Sequence, residues 1–260
     1  MTETKRASFD FSGKSVLVTG ATSGLGAAIA EAFAASGADV ALAGRDLPRG
    51  NRLRERLRGL GRKVEFIPGD ITDPAYCDSL VDETVAALGQ LDIAVNSAGV
   101  IYHAAVDETT DEQWRNTFAV NVNGMFYVCR AAIPAMRERG GVIVNVASDA
   151  ALTGSRHLVA YCASKGAVLQ MTRAMALDHA REGIRVVAVC PGDVDTPMLR
   201  GEFRDRGLSI EEGLRRSADG VPLNRVATPE EVADLVLYSA SGSGRFITGY
   251  PLVMDGGSRA

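Results

Sequence analysis

The feature that most constrains this chain is a rhythm of short apolar runs alternating with longer helical patterns. The runs read SVLVTG at 15–20, DVALAG at 39–44, KVEFIP at 63–68, LDIAVN at 91–96, GVIVNVAS at 141–148, IRVVAVC at 184–190 and PLVMD at 251–255. Each is mostly continuous rather than alternating, as suits strands covered on both faces. Helix-like segments lie at 24–36, 46–60, 73–88, 112–138, 158–181 and 229–240. This alternation predicts an α/β fold, a doubly wound parallel β-sheet of about seven strands with helices on both faces.

Local punctuation supports the boundaries. Asp73-Pro74 and Thr228-Pro229 each place a cap residue before a proline suited to a first helical turn. Glycines at 140–141 and Gly183 stop helices before the next strand. Nothing in 1–260 reads as a linker or repeat, so one domain is expected. The stretch 193–225 leaves the rhythm. It sets Met198, Leu199, Phe203, Leu208 and Leu214 among charges and has helix-like patches without a strand, as a lid over a site would. Tyr250-Pro251 puts a proline at the last strand, a residue that cannot donate to a ladder.

Composition excludes several classes. With 46% hydrophobic and 23% charged residues the chain is too apolar for disorder. A net charge of −4 and a basic cluster (RLRERLRGLGRK) already mixed with acids argue against a nucleic-acid surface. Four cysteines form no CxxC pair and three histidines are dispersed, so neither a metal nor a disulfide framework is expected. The opening MTETKRASFDF has no apolar leader, and no apolar run is long enough to span a bilayer. The expected setting is a reduced cytoplasm, without a membrane.

The first strand runs into TGATSGLG at 19–26, where a helix pattern opens at once. A glycine-rich turn lets backbone N–H groups approach a pyrophosphate, and the helix N-terminus favours its charge. This is the phosphate end of a Rossmann unit, here with GxxxGxG spacing. The second strand ends Gly44-Arg45-Asp46. An acid at its end would bind a free ribose, whereas Arg45 suits a 2′-phosphate, which favours NADP(H) over NAD(H). Asp46 counts against this if it neutralises Arg45 rather than capping the next helix.

From 158 to 172 the chain reads LVAYCASKGAVLQMT, and Lys165 is its only charge. A lone ammonium in an apolar helix either reaches solvent or finds a polar partner inside. Tyr161 and Lys165, four apart, share a helix face. An ammonium beside a phenol favours the phenolate and lowers its pKa from about 10.

In order along the chain stand TGATSGLG, GDITD at 69–73, NSAG at 96–99, NVNG at 121–124, Ser148, YCASK at 161–165 and PGDVDTP at 191–197. This ordered set resembles the short-chain dehydrogenase/reductase family from about Gly13 to Gly257. The resemblance implies Tyr161 as general acid/base, with Lys165 holding the nicotinamide ribose and depressing the tyrosine pKa. It implies that Ser148, ending the fifth strand, binds the substrate oxygen and that Asn121 holds a water in a proton relay. It assigns Gly20, Ser23, Gly24, Leu25 and Gly26 to the pyrophosphate and Asp70 and Ile71 to the adenine. Asn96, Ala98 and Gly99 line the cofactor, and Pro191, Gly192, Val194 and Thr196 surround the carboxamide. Ser97 departs from the family's more frequent asparagine.

Asp149, beside Ser148, and His157, four before Tyr161, are expected to face a polar substrate such as a polyol, sugar or hydroxy-ketone. The helix at 158–172 is apolar nearly all round, so it is buried on two sides. With the resemblance this implies a homotetramer, or a dimer. The expected activity is hydride transfer between NADP(H) and a secondary alcohol or ketone. The alternatives are a 3-oxoacyl-type reductase, an NAD-preferring dehydrogenase, an epimerase or dehydratase, and a silent cofactor-binding protein.

Overall fold

A computed structural model of the chain describes residues 8–260. Residues 1–7, which carry most of the segment that lacks a leader-like run, lie outside the described residues. The strands are β1 (Ser15–Thr19), β2 (Asp39–Gly44), β3 (Val64–Pro68), β4 (Ile93–Asn96), β5 (Gly141–Val146), β6 (Ile184–Pro191) and β7 (Pro251–Met254). They form one seven-stranded sheet of order β3-β2-β1-β4-β5-β6-β7, every pairing parallel. All seven expected strands are present. The order reverses between β1 and β4, which opens a crevice at the carboxyl edge of the sheet.

The helices are α1 (Gly24–Ala35), α2 (Leu47–Arg58), α3 (Pro74–Leu88), α4 (Asp111–Phe118), α5 (Met125–Met136), α6 (Val159–His179), α7 (Pro197–Asp205), α8 (Ile210–Ala218) and α9 (Pro229–Ala240). Alternation along β1 sends Val16 and Val18 to one core, with Ile29 and Phe33 of α1 and Val232 and Val236 of α9. Leu17 joins the other core, with Leu80 of α3, Val128 of α5 and Val168 of α6. Both faces are therefore covered, which is why the strands are apolar throughout.

The caps fall where the prolines placed them. Asp73 accepts from Ala75 N–H, and Thr228 forms a reciprocal capping box with Glu231. The helix expected over 112–138 carries a widened π-helical segment, Ala119–Gly124, between α4 and α5. The 193–225 stretch holds α7 and α8. Pro251 opens β7 at the sheet edge, where its missing N–H costs no central ladder bond. Cys77, Cys129 and Cys190 are buried, Cys162 is only partly so, and all four are free.

Candidate active site

The turn after β1 is held by backbone packing. Gly20 has φ +67, and a Cβ there would lie 2.8 Å from Ala98 Cα. A Cβ on Gly26 would lie 2.4 Å from Gly20 O. The chain can make this turn, and seat α1 against it, only with glycine at these points. Helices α2, α3, α4, α7, α8 and α9 all have a side-chain cap, from Asp46, Asp73, Thr110, Thr196, Ser209 and Thr228. Ser23 makes no such bond at α1, whose first turn also lacks an acid. The N–H donors of α1 therefore open on the crevice without an internal acceptor.

A cleft of about 560 Å³ runs from this turn along the carboxyl ends of the strands. Its lining includes Gly20, Ser23, Gly24, Leu25, Gly26, Arg45, Asp70, Ile71, Ala98 and Gly99 at one end and middle. Ser148, Asp149, Tyr161, Lys165, Pro191, Gly192, Val194 and Thr196 line the other. The Ser97 hydroxyl, also in the lining residues, is buried without a partner. An uncapped helix start, a turn closed to side chains and an elongated cleft together fit a dinucleotide.

At the end of the cleft beside β2, Arg45 is well exposed and pairs with Asp70 at 3.4 Å. Asp46 does not neutralise it. Its carboxylate accepts from Arg49 N–H at 2.9 Å as the cap of α2. Burial raises the Asp70 carboxyl, but hydrogen bonds from Thr72 and the Arg45 charge outweigh this and hold it below its usual range.

At the opposite end Lys165 turns inward. It is 5% exposed, and its Nζ donates to Val146 O at 2.8 Å. Nζ stands 5.5 Å from the centroid of the Tyr161 ring. Ser148 lies two residues beyond β5 rather than at its last position. It caps a short turn, accepting from Ala150 N–H at 3.1 Å, and lies close enough to Tyr161 to act on its phenol. The expected acidification of the phenol is not present in the protein alone. Loss of water pushes Tyr161 well above the ordinary range, with Glu202 and Asp149 adding to the rise against the lowering effect of Ser148. Burial likewise lowers Lys165 to about 8 from 10.5.

That shift has a cost for folding. Between pH about 8 and 10.5 the unfolded chain holds more protons than the folded one, so stability climbs with pH across this window. Below 8 the whole penalty is felt. Lys165→Met should therefore raise stability at pH 7 by about 2 kcal/mol, after allowing for the lost bond to Val146. Chemical denaturation at pH 7 and pH 10 checks this, since the gain should shrink at the higher pH.

Three expected site residues sit elsewhere. Asn121, in the π-helical segment, accepts from Val100 N–H at 2.8 Å and donates to Val100 O and Ser164 Oγ, both at 3.0 Å. Both of its N–H donors are used within the protein, and its Oδ1 accepts one bond. Asn96 is buried outside the cleft lining and donates to Asn145 Oδ1 at 2.9 Å; Asn145 in turn donates to Thr172 Oγ1 at 2.9 Å. This polar ladder ties β4, β5 and α6 together. His157 is exposed, does not line the cleft and has φ +57, because the chain turns there before α6 begins at Val159. The histidine at the cleft is His103, whose Nε2 lies 2.6 Å from Glu202 of α7. Asp193 and Ser217 join them at the mouth. Asp149 does line the cleft, but its Oδ2 is paired with Arg259 at 3.0 Å.

Among the described residues no cluster of His, Cys, Asp and Glu is arranged to hold a metal, and no helix is long and apolar enough to cross a membrane.

A family model described as enoyl-(acyl carrier protein) reductase matches residues 20–259. The L-fucose dehydrogenase of Mus musculus is 38% identical, over 95% of this chain and 89% of its own. The trans-4-hydroxycyclohexanecarboxylate dehydrogenase of Sinomonas cyclohexanicum is 36% identical, over 95% and 93%. A short-chain type dehydrogenase/reductase from Mycobacterium marinum of known crystal structure is 34% identical and superposes with a TM-score of 0.89, covering 97% of this chain and 98% of its own. Matches that run almost end to end, in sequence and in fold, make the chain an oxidoreductase of the short-chain dehydrogenase/reductase family.

Proposed function

We propose that this protein moves a hydride between NADP(H) and a secondary alcohol or ketone on a small polar substrate, such as a polyol, sugar or hydroxy-ketone. The observation that carries this reading is the meeting of Ser148, Tyr161 and Lys165 at one end of a cleft whose other end is the glycine turn. A nicotinamide dinucleotide, when bound, supplies the hydride acceptor or donor. Gly20, Ser23, Gly24, Leu25 and Gly26 would hold its pyrophosphate, and Asp70 and Ile71 its adenine. Ala98 and Gly99 would line its middle, and Pro191, Gly192, Val194 and Thr196 its carboxamide end.

Tyr161 gives a proton to the reacting oxygen on reduction and takes one on oxidation, and Ser148 hydrogen-bonds that oxygen. Lys165, braced on Val146 O, would hold the ribose and adds positive charge behind the phenol. Burial holds the phenol high, so the Lys165 charge and a bound nicotinamide would have to offset it for Tyr161 to act as a base. Asn121 fixes the strand-end loop through Val100.

The polar mouth supports the substrate class. His103 with Glu202, and Asp193 with Ser217, offer acceptors for hydroxyl groups and repel carboxylates. Residues 193–225, including α7 and α8, form a lid over this end. Exposed apolar side chains at Leu177, Phe246, Tyr250 and Val253, close to the β7 edge, support assembly as a homotetramer. Sedimentation reads that state directly.

Arg45 supports the choice of NADP(H), since its ion pair with Asp70 is long and solvent-exposed. A panel of ketones and polyols, followed by nucleotide absorbance with both nucleotides, tests the activity. Arg45→Ala should weaken NADPH by about tenfold or more and NADH by less than about twofold. Equal losses would reject the phosphate role.

A further inference from the structure

The segment after β7 returns a side chain to the reaction end of the cleft. Arg259 donates to Asp149 Oδ2 from Nε at 3.1 Å and pairs with the same oxygen through Nη2 at 3.0 Å. Both side chains are only 20% exposed. The other carboxylate oxygen, Oδ1, accepts the Ser148 hydroxyl proton at 3.0 Å. A serine has one such proton. While Asp149 holds it, Ser148 can only accept, as it does from Ala150 N–H at 3.1 Å. It then has nothing to donate to a substrate oxygen.

Asp149 therefore competes with the substrate for Ser148. The carboxylate is shared: Ser148 holds Oδ1 and a guanidinium holds Oδ2, so the two partners compete for one negative charge. We propose that Arg259 is a positioning residue: by holding Asp149 through Oδ2 it loosens the Asp149 claim on the Ser148 proton and offsets a negative charge beside Tyr161. This rests on the proposed roles of Ser148 and Tyr161. The pair is 110 residues apart in sequence, so nothing local in the chain forces it.

Asp149 is one of the two carboxylates that act on the Tyr161 phenol, with Glu202 of α7 the other. Cys162 and Lys165 face it from α6, and His103 and Asp193 stand beyond Glu202 at the mouth. Releasing Asp149 from Arg259 leaves a less balanced negative charge near the phenol and should make it harder to ionise. Removing the Asp149 charge should do the reverse.

The experiment is a double-mutant cycle of Arg259→Ala and Asp149→Asn, with Arg259→Lys as the conservative variant. Arg259→Ala should lower kcat about tenfold with KM within about twofold, and move the limb of the pH profile set by the phenol upward. Asp149→Asn should move that limb downward. In the Asp149→Asn background, Arg259→Ala should cost less than about twofold more, and Arg259→Lys should keep most of the activity. A loss of equal size with or without Asp149, or a pH limb that stays in place, overturns the proposal. The ionisation order is read separately by difference absorbance of the phenol against Tyr161→Phe, with NADP⁺ bound, which needs no substrate. That order holding while the wild type turns over no alcohol or ketone would sink the proposed reaction and leave the Arg259 role standing; a reversed order would sink the Arg259 role alone.

Discussion

Tyr161→Phe is expected to lower kcat by about a thousandfold while leaving nucleotide affinity within about threefold of wild type. Only one oxygen is removed. The ring that Lys165 faces at 5.5 Å stays in place, and so does the Lys165 bond to Val146. The glycine turn and Arg45 lie at the other end of the cleft and are untouched. What is lost is the group proposed to exchange a proton with the reacting oxygen, beside Ser148. Single-turnover kinetics and nucleotide titration separate the two quantities. Near-normal turnover would reject the proton role, and a parallel collapse of nucleotide binding would show a packing defect instead.

Gly26→Ala should have an effect of similar size by another route. The added carbon would stand 2.4 Å from Gly20 O and 2.7 Å from Gly20 C, and both are backbone atoms that no rotamer change can move. Either the turn after β1 opens or α1 withdraws. In both cases the uncapped N–H donors leave the place where a pyrophosphate would meet them. Nucleotide affinity should fall by about a hundredfold or more, and stability by about 3 kcal/mol. Gly154→Ala, whose new carbon would meet nothing within 4 Å, is the control and should leave both unchanged. Thermal unfolding with and without nucleotide reads both effects, and an unaltered affinity in Gly26→Ala would refute the phosphate role of this turn.

Much of this architecture could be read from residues close together in the chain. Strands buried on two faces announce themselves as unbroken apolar runs, so β1 to β7 were legible. The i,i+4 spacing brought Tyr161 and Lys165 to one face; the lone charge of 158–172 left solvent or an internal partner open, and the bond to Val146 O decides for the partner. Local reading failed where geometry departs from the local period or contacts span the chain. Spacing put His157 one turn before Tyr161, but a left-handed residue cannot extend α6 backwards, so the inference from spacing had no helix to act on. His103 and Glu202 meet across 99 residues, and Arg259 and Asp149 across 110, with no pattern linking either pair. The π-helical segment hid inside an otherwise continuous helix signal. Asn145 did leave a trace, as an amide in the middle of the apolar GVIVNV, matched by Asn96 at the end of IAVN.

The Asn96–Asn145–Thr172 ladder limits how this protein can fail. Greasy surfaces tolerate sliding, because one methyl group substitutes for another. Amides and hydroxyls do not, since each needs its own counterpart. Thr172 follows Lys165 by seven residues, two helical turns or roughly 10 Å along α6. If that helix slipped by a turn, the chain of bonds to the neighbouring strands would break before Tyr161 had moved to a new place. The packing of the core is thus pinned to one arrangement, and the position of Tyr161 is set from the middle of the molecule.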